Sequence, residues 1–172
     1  MEKQIFAVQF SDGACVDGSG ADIYSKFDSE WALLTAGTLQ KFNSMTISWG
    51  GVGTLWGKPV VTAYVRTSRY THEFMDDNEY FTVSFYKEDM KRILGVFGSK
   101  SGRDIDKMHY DGLTAKEVDG SVTFEEAEVT LVCKKLFMQQ LAVENMTPEV
   151  RDAFYSGDAP HDMYIGEIVK VL

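Results

Sequence analysis

The chain has 172 residues, of which 44% are hydrophobic and 13% aromatic, and its formal net charge is −9. That length and apolar content are enough for one domain with a sizeable core. The acidic balance argues against nucleic acid and against an anionic membrane face, and no run approaches the roughly 18 apolar residues of a spanning helix.

The opening decapeptide MEKQIFAVQF lacks the basic-then-apolar order of a secretory leader. Cys15 and Cys133 lie far apart with no CxxC pair, so both read as free buried thiols of a reducing, cytoplasmic protein. Residues 11–22 are rich in glycine and aspartate and read as a loop or hairpin. Strands are expected over 31–38 and 45–49. Gly50, Gly51 and Gly53 then suggest a tight loop, with an apolar stretch from Val52 to Trp56. Pro59 opens the next strand, in which Val61, Ala63 and Val65 alternate with Thr62, Tyr64 and Arg66 to bury one face. A helix is expected to start near Thr71, with that residue as its N-cap. Tyr80–Tyr86 is the clearest strand. Met90, Ile93, Leu94 and Phe97 have helical spacing over 88–97, and Gly98 is expected to stop that helix. Residues 103–110 could form one or two turns of helix. Alternation returns over 121–137, Thr147 and Pro148 announce a helix over 149–155, and 163–171 is a final strand. Many strands with few, short helices suggest a small closed β-barrel. No internal repeat, low-complexity tract or long linker divides the chain.

Charge is distributed unevenly. Between Glu30 and Glu73 there is no acidic residue, while Lys41, Lys58, Arg66 and Arg69 all fall there. An acidic protein that clears acids from one interval is arranged to hold an anion. The interval also carries the donors Asn43, Ser44, Thr46, Ser48, Thr67, Ser68 and Thr71 and the flat faces of Trp49, Trp56 and Tyr70. Together these suit a phosphorylated aromatic cofactor; the alternative is a buried strand pair with polar turns. Within it, Arg66 to Thr71 ends a strand and opens a helix, where backbone N–H groups and two arginines can grip phosphate oxygens.

Other motifs are weaker. The Gly50–Gly53 cluster does not open a helix, which excludes a dinucleotide fingerprint. Gly98 to Asp104, with Lys100 in it, lacks the Gly-Lys-[Ser/Thr] ending of a phosphate loop, yet it is a donor-rich turn with Lys107 one turn further on. His72, His109 and His161 have no metal-ligand spacing, so no metal is expected.

NSMTISWGGVGTLWGKPVV, RTSRYTHEF, FTVSFY, FGSKSGRDIDK and HDMYIGEIVKV occur in this order. This ordered set, over roughly residues 31–172, resembles the flavin reductase-like, FMN-binding split-barrel family, and its flavoredoxin-like branch in particular. The resemblance implies a mainly β fold, a six-stranded split barrel of Greek-key character with a few short peripheral helices, over one domain paired as a homodimer. It implies FMN near the dimer interface. Asn43 and Trp49 match the family's residues around its T-x-S-W run, and Met45, Thr46, Ile47 and Ser48 match the strand facing the isoalloxazine ring. Ser68, Arg69 and Thr71 match the phosphate end, Lys107 the lysine closing SGRDxDK, and His161, the one catalytic candidate, a histidine on the flavin or substrate side. Residues 1–30 match no motif.

The expected function is that of an FMN-dependent oxidoreductase passing electrons from NAD(P)H, or from a reduced protein partner, to an acceptor. Two alternatives stand beside it: an electron carrier without enzymatic activity, and a split-barrel binding module without a redox role. The sequence shows no nicotinamide fingerprint and leaves donor and acceptor open.

Overall fold

The computed structural model describes residues 23–172; the expectations for residues 11–22 and Cys15 lie outside the described residues. A short helix α1 (Ile23–Asp28) leads into the hairpin of β1 (Ala32–Thr38) and β2 (Lys41–Ile47). A second hairpin, β3 (Gly50–Leu55) and β4 (Lys58–Arg66), follows, then α2 (Tyr70–Asp77) and β5 (Tyr80–Phe85). Next come α3 (Lys91–Ser99), the small hairpin of β6 (Ala115–Val118) and β7 (Ser121–Phe124), and the long β8 (Val129–Gln140). Helix α4 (Pro148–Phe154) and β9 (His161–Val171) end the chain.

Seven strands form one antiparallel sheet in the order β2-β1-β5-β8-β9-β4-β3. The two edge strands, β2 and β3, are consecutive in sequence and joined only through Ser48 and Trp49. The sheet therefore returns on itself around one apolar interior but leaves a seam between its edges. Leu34, Met45, Val61, Val65, Phe81, Val83, Leu131 and Tyr164, from six strands, meet in that interior. This is a split barrel. A second cluster lies on the outer face, where Leu33 and Phe42 pack under Ile93, Leu94 and Phe97 of α3 and Val122 and Phe124 of β7. Both faces of β1 are thus covered, which is why six consecutive residues of that strand are buried. Each large aliphatic or aromatic side chain so buried contributes about 1.5–3 kcal/mol.

The main sheet has one strand more than the six implied. The Gly50–Leu55 segment, expected as a loop, is strand β3, because a two-residue turn at Trp56 (φ 52°) and Gly57 (φ 70°) folds it onto β4. Positive φ at both turn positions matches the right-handed twist of the flanking strands. Four further expectations change. Residues 121–137 form two strands, since Glu125–Glu128 turn the chain between β7 and β8. Gly98 lies inside α3, where a Cβ would make ordinary contact with the Thr46 side chain at 3.4 Å. Residues 103–110 form successive turns with no helix, pinned by Asp106 Oδ1 accepting from the backbone N–H groups of Met108 (2.9 Å) and His109 (3.2 Å). Arg69, not Thr71, is the N-cap of α2, and no side chain caps that helix.

Candidate functional site

The acid-free interval folds so that its bases and donors converge. Thr71, expected as a surface cap, is buried, and its hydroxyl accepts a hydrogen bond from Asn43 Nδ2 at 2.7 Å. That bond ties the first turn of α2 to β2. Asn43 Oδ1 faces Gly102, where an added Cβ would sit 2.0 Å from that oxygen. Only a glycine lets the 99–104 turn lie this close to β2. Lys107, also buried, donates through Nζ to the carbonyls of Ser44 (3.0 Å) and Phe97 (2.9 Å), joining β2 to α3. One ammonium proton remains for a further acceptor.

Two cavities meet at this junction. One, about 240 Å³, is lined by Asn43, Met45, Ser68, Arg69, Thr71, Lys100, Lys107 and the rest of the 99–104 turn. The other, about 150 Å³, is lined by Met45, Thr46, Ile47, Ser48, Trp49, Tyr64, Arg66, Arg69 and His161. Met45 and Arg69 belong to both, so the two are compartments of one cleft. Every residue singled out as a cofactor ligand from sequence lines this cleft, and so does His161. Together the compartments fall at the low end of the roughly 300–1,000 Å³ common for ligand sites. A larger cavity, about 530 Å³, lies beside Leu39, Phe42 and residues 108–115, but no lysine or arginine lines it, so it does not suit an anion.

The compartments differ in character. In the larger one, Arg69 is partly buried, and no hydrogen bond or ion pair among the described residues engages its guanidinium. Burial, and next the charge of Arg66, push its pKa down. Lys107 is likewise pushed down to about 8 by burial and by Arg69. Both cations are thus gathered at a cost to their own charge, the condition that a negative group beside them would relieve. Lys100 and Ser68, both exposed, stand at its rim.

Arg66 lines the smaller compartment and also holds a loop beside it. Its Nη1 donates to Ala159 O (2.9 Å) and Nη2 to Phe154 O (3.0 Å), with Asp158 at 3.6 Å. It clamps the 154–159 loop over the smaller compartment. That loop brings in Tyr155, whose hydroxyl lies 2.9 Å from His161 Nδ1. The His161 ring also stands 5.1 Å from Trp49, centroid to centroid. Burial, then Arg66 and Arg69, lower the His161 pKa to about 4, so the ring is neutral at physiological pH.

Sequence reasoning did not single out Tyr64, Gly102, Arg103 or Tyr155 as site residues. Arg103 lies 4.6 Å over the Tyr70 ring and pairs with Glu73 at the cleft's edge. Tyr64 was legible as the outward side of an alternating strand. Tyr155 was not, because a turn held by Arg66 from 88 residues away gives no local pattern. No group of three or more His, Cys, Asp or Glu able to hold a metal occurs among the described residues. Cys133 is buried in the barrel interior, where burial raises its thiol pKa and makes it inert packing.

Comparison with known proteins follows the same lines. Flavoredoxin from Methanosarcina acetivorans superposes with a TM-score of 0.63 at 22% identity, over 83% of this chain and 67% of that one. An FMN-binding protein from Thermus thermophilus gives 0.67 at 20% identity, over 91% and 78%. The styrene monooxygenase flavin reductase of Pseudomonas putida S12 gives 0.61 at 18% identity, over 83% and 78%. At these identities the likeness establishes the fold alone. No curated protein matches the chain. The family model for the flavin reductase like domain, however, matches residues 24–172, and on that match the chain belongs to the flavin reductase-like family.

Proposed function

We propose that the cleft holds FMN and that the protein is an FMN-dependent oxidoreductase, taking electrons from NAD(P)H or a reduced protein. The observation that carries this reading is Arg69: a half-buried guanidinium beside a second arginine, with no anionic partner among the described residues, at the join of the two compartments. The residues present fit the group. A phosphate needs cations and hydroxyl donors, and Arg69, Lys100, Lys107, Ser68 and Thr71 surround the larger compartment. A flat ring needs apolar and aromatic walls, and Met45, Ile47, Trp49 and Tyr64 supply them in the smaller. When bound, FMN would supply the redox chemistry itself.

This chain's residues then bind, orient and shield. Arg69 and its neighbours fix the phosphate, the Met45–Trp49 segment lies along the ring, and His161 offers a neutral imidazole beside it. We further propose that the protein works as a homodimer in the cytoplasm. Trp56, Phe137 and Met138 are exposed together on β3–β4 and β8, with the Trp56 and Phe137 rings 6.2 Å apart, and an exposed apolar patch of this kind suits an interface.

The decisive experiment is an absorbance spectrum of the purified protein before and after anaerobic NAD(P)H. A yellow protein that releases FMN on heating and bleaches with NADH or NADPH supports the enzymatic reading. One that binds FMN but bleaches only with a reduced protein donor is an electron carrier. A protein that neither contains nor binds FMN overturns the reading altogether.

A further inference from the structure

Tyr155 and Arg66 form a unit that the flavin reading does not require. The Tyr155 hydroxyl reaches His161 Nδ1 at 2.9 Å, and the loop that carries Tyr155 is fixed by Arg66 through the Phe154 and Ala159 carbonyls. The Arg66 guanidinium also lies 5.5 Å over the Tyr155 ring. We propose that Tyr155 is a positioning residue that holds His161 as its Nε2–H tautomer, so that the cleft presents one uncharged hydrogen-bond donor there. This rests on the reading above only in placing a ligand in the cleft.

The tautomer follows from the chemistry of the pair. A phenol O–H is a good donor, while the phenol oxygen is a poor acceptor because its lone pair is delocalised into the ring. Burial raises the Tyr155 pKa, so the hydroxyl keeps its proton. An imidazole nitrogen is a good acceptor only when it carries no proton. The stronger arrangement is therefore Tyr155 Oη–H donating to Nδ1, which leaves the proton on Nε2. The groups facing the ring agree. Arg66 from β4 and Arg69 before α2 oppose a third cation between them; Asp158 in the loop and Asp162 on β9 favour one, but less strongly. A hydrogen bond made to the neutral form adds to the same side.

The consequence concerns recognition. Nε2–H can donate and cannot accept, so its partner in a bound substrate is a hydrogen-bond acceptor, such as a carbonyl or carboxamide oxygen. An ammonium or N–H group at that point would find no partner. The Trp49 ring, 5.1 Å from His161, gives such a group a flat wall to lie against.

The chain has three histidines, so nitrogen NMR of histidine-labelled, full-length protein can resolve each ring, with His161→Gln identifying its signals by subtraction. In the wild type we expect a pyrrole-type Nε2 and a pyridine-type Nδ1 for His161, unchanged between about pH 5 and 8. In Tyr155→Phe the two tautomers should mix, and the titration midpoint should move up as the hydrogen bond to the neutral ring is lost, while burial, Arg66 and Arg69 still hold it below the ordinary value. Its rate of reduction by NAD(P)H should gain an acid limb and fall by up to about tenfold, the worth of one hydrogen bond, while flavin content is retained. A wild-type His161 protonated at Nδ1, or charged near pH 7, overturns the proposal even if Tyr155→Phe does not fold. So does a Tyr155→Phe spectrum identical to the wild type. If the tautomer is as stated but no flavin binds, the flavin reading fails and this assignment stands.

Discussion

Arg69 and Lys107 show how two neighbouring cations divide one task. Burial and Arg66 disfavour the charge of Arg69, and no described residue relieves it, so its proposed task is to hold the phosphate. Arg69→Ala should weaken FMN by ~1.5–3 kcal/mol, the range for hydrogen bonds to charged groups, while leaving riboflavin, which has no phosphate, nearly untouched. The ligand-free variant should unfold at the same or higher urea concentration than the wild type. Lys107 is also structural, since its ammonium satisfies two carbonyls. Lys107→Met should therefore cost ~1–3 kcal/mol in the absence of any flavin, read from the same urea titrations. Equal behaviour of the two variants would refute this division. His161 makes a pH prediction. Its pKa is lowered on folding, to about 4 from 6.5, so the unfolded chain takes up a proton between these values while the folded one does not. Stability should fall as pH drops from about 6.5 to 4, by at most ~3 kcal/mol from this group, with no contribution above that window. Melts of wild type and His161→Gln across this range should converge toward low pH if the assignment holds.

At the scale of elements, the cleft exists because three segments are pinned to β2. Asn43 holds α2 through Thr71, Lys107 holds α3 through Phe97, and Gly102 lets the intervening turn come close. Gly102→Ala tests this. Its Cβ would collide with Asn43 Oδ1 and lie 3.1 Å from the Tyr70 ring, and Asn43 cannot swing away without giving up Thr71. FMN affinity should drop at least tenfold, about 1.4 kcal/mol, with the far-UV spectrum unchanged; unaltered affinity would mean that the turn is free to move and does not shape the site.

At the scale of the whole molecule, the barrel has an interior apolar cluster, an outer one beneath α3 and β6–β7, and an uncovered patch around Trp56, Phe137 and Met138. If that patch is the dimer contact, Trp56→Glu should yield a monomer by light scattering, with the fold intact because Trp56 occupies an exposed turn. A wild-type monomer with FMN fully bound would remove the basis for this prediction.

The sequence by itself determined most of the elements and which residues line the cleft. Alternation in Lys58–Arg66 gave a strand, since a half-buried ribbon must alternate, the β-rich run of Tyr80–Tyr86 gave β5, and Thr147–Pro148 gave the start of α4. The acid-free interval 31–72 pointed to the segment whose bases line the cleft, which is what an anion site there would require. Tertiary structure decided the rest. Gly50–Leu55 is a strand because β4 offers it a partner, not because glycines favour one. Gly98 stays helical within α3, which Ile93, Leu94 and Phe97 pack against the barrel. Arg66 became a loop clamp because carbonyls from residues 154 and 159 arrive within 3.0 Å. Tyr155 met His161 for the same reason. Contacts between residues distant in the chain leave no period in the sequence, so only the folded barrel could show which donors remained open to a ligand.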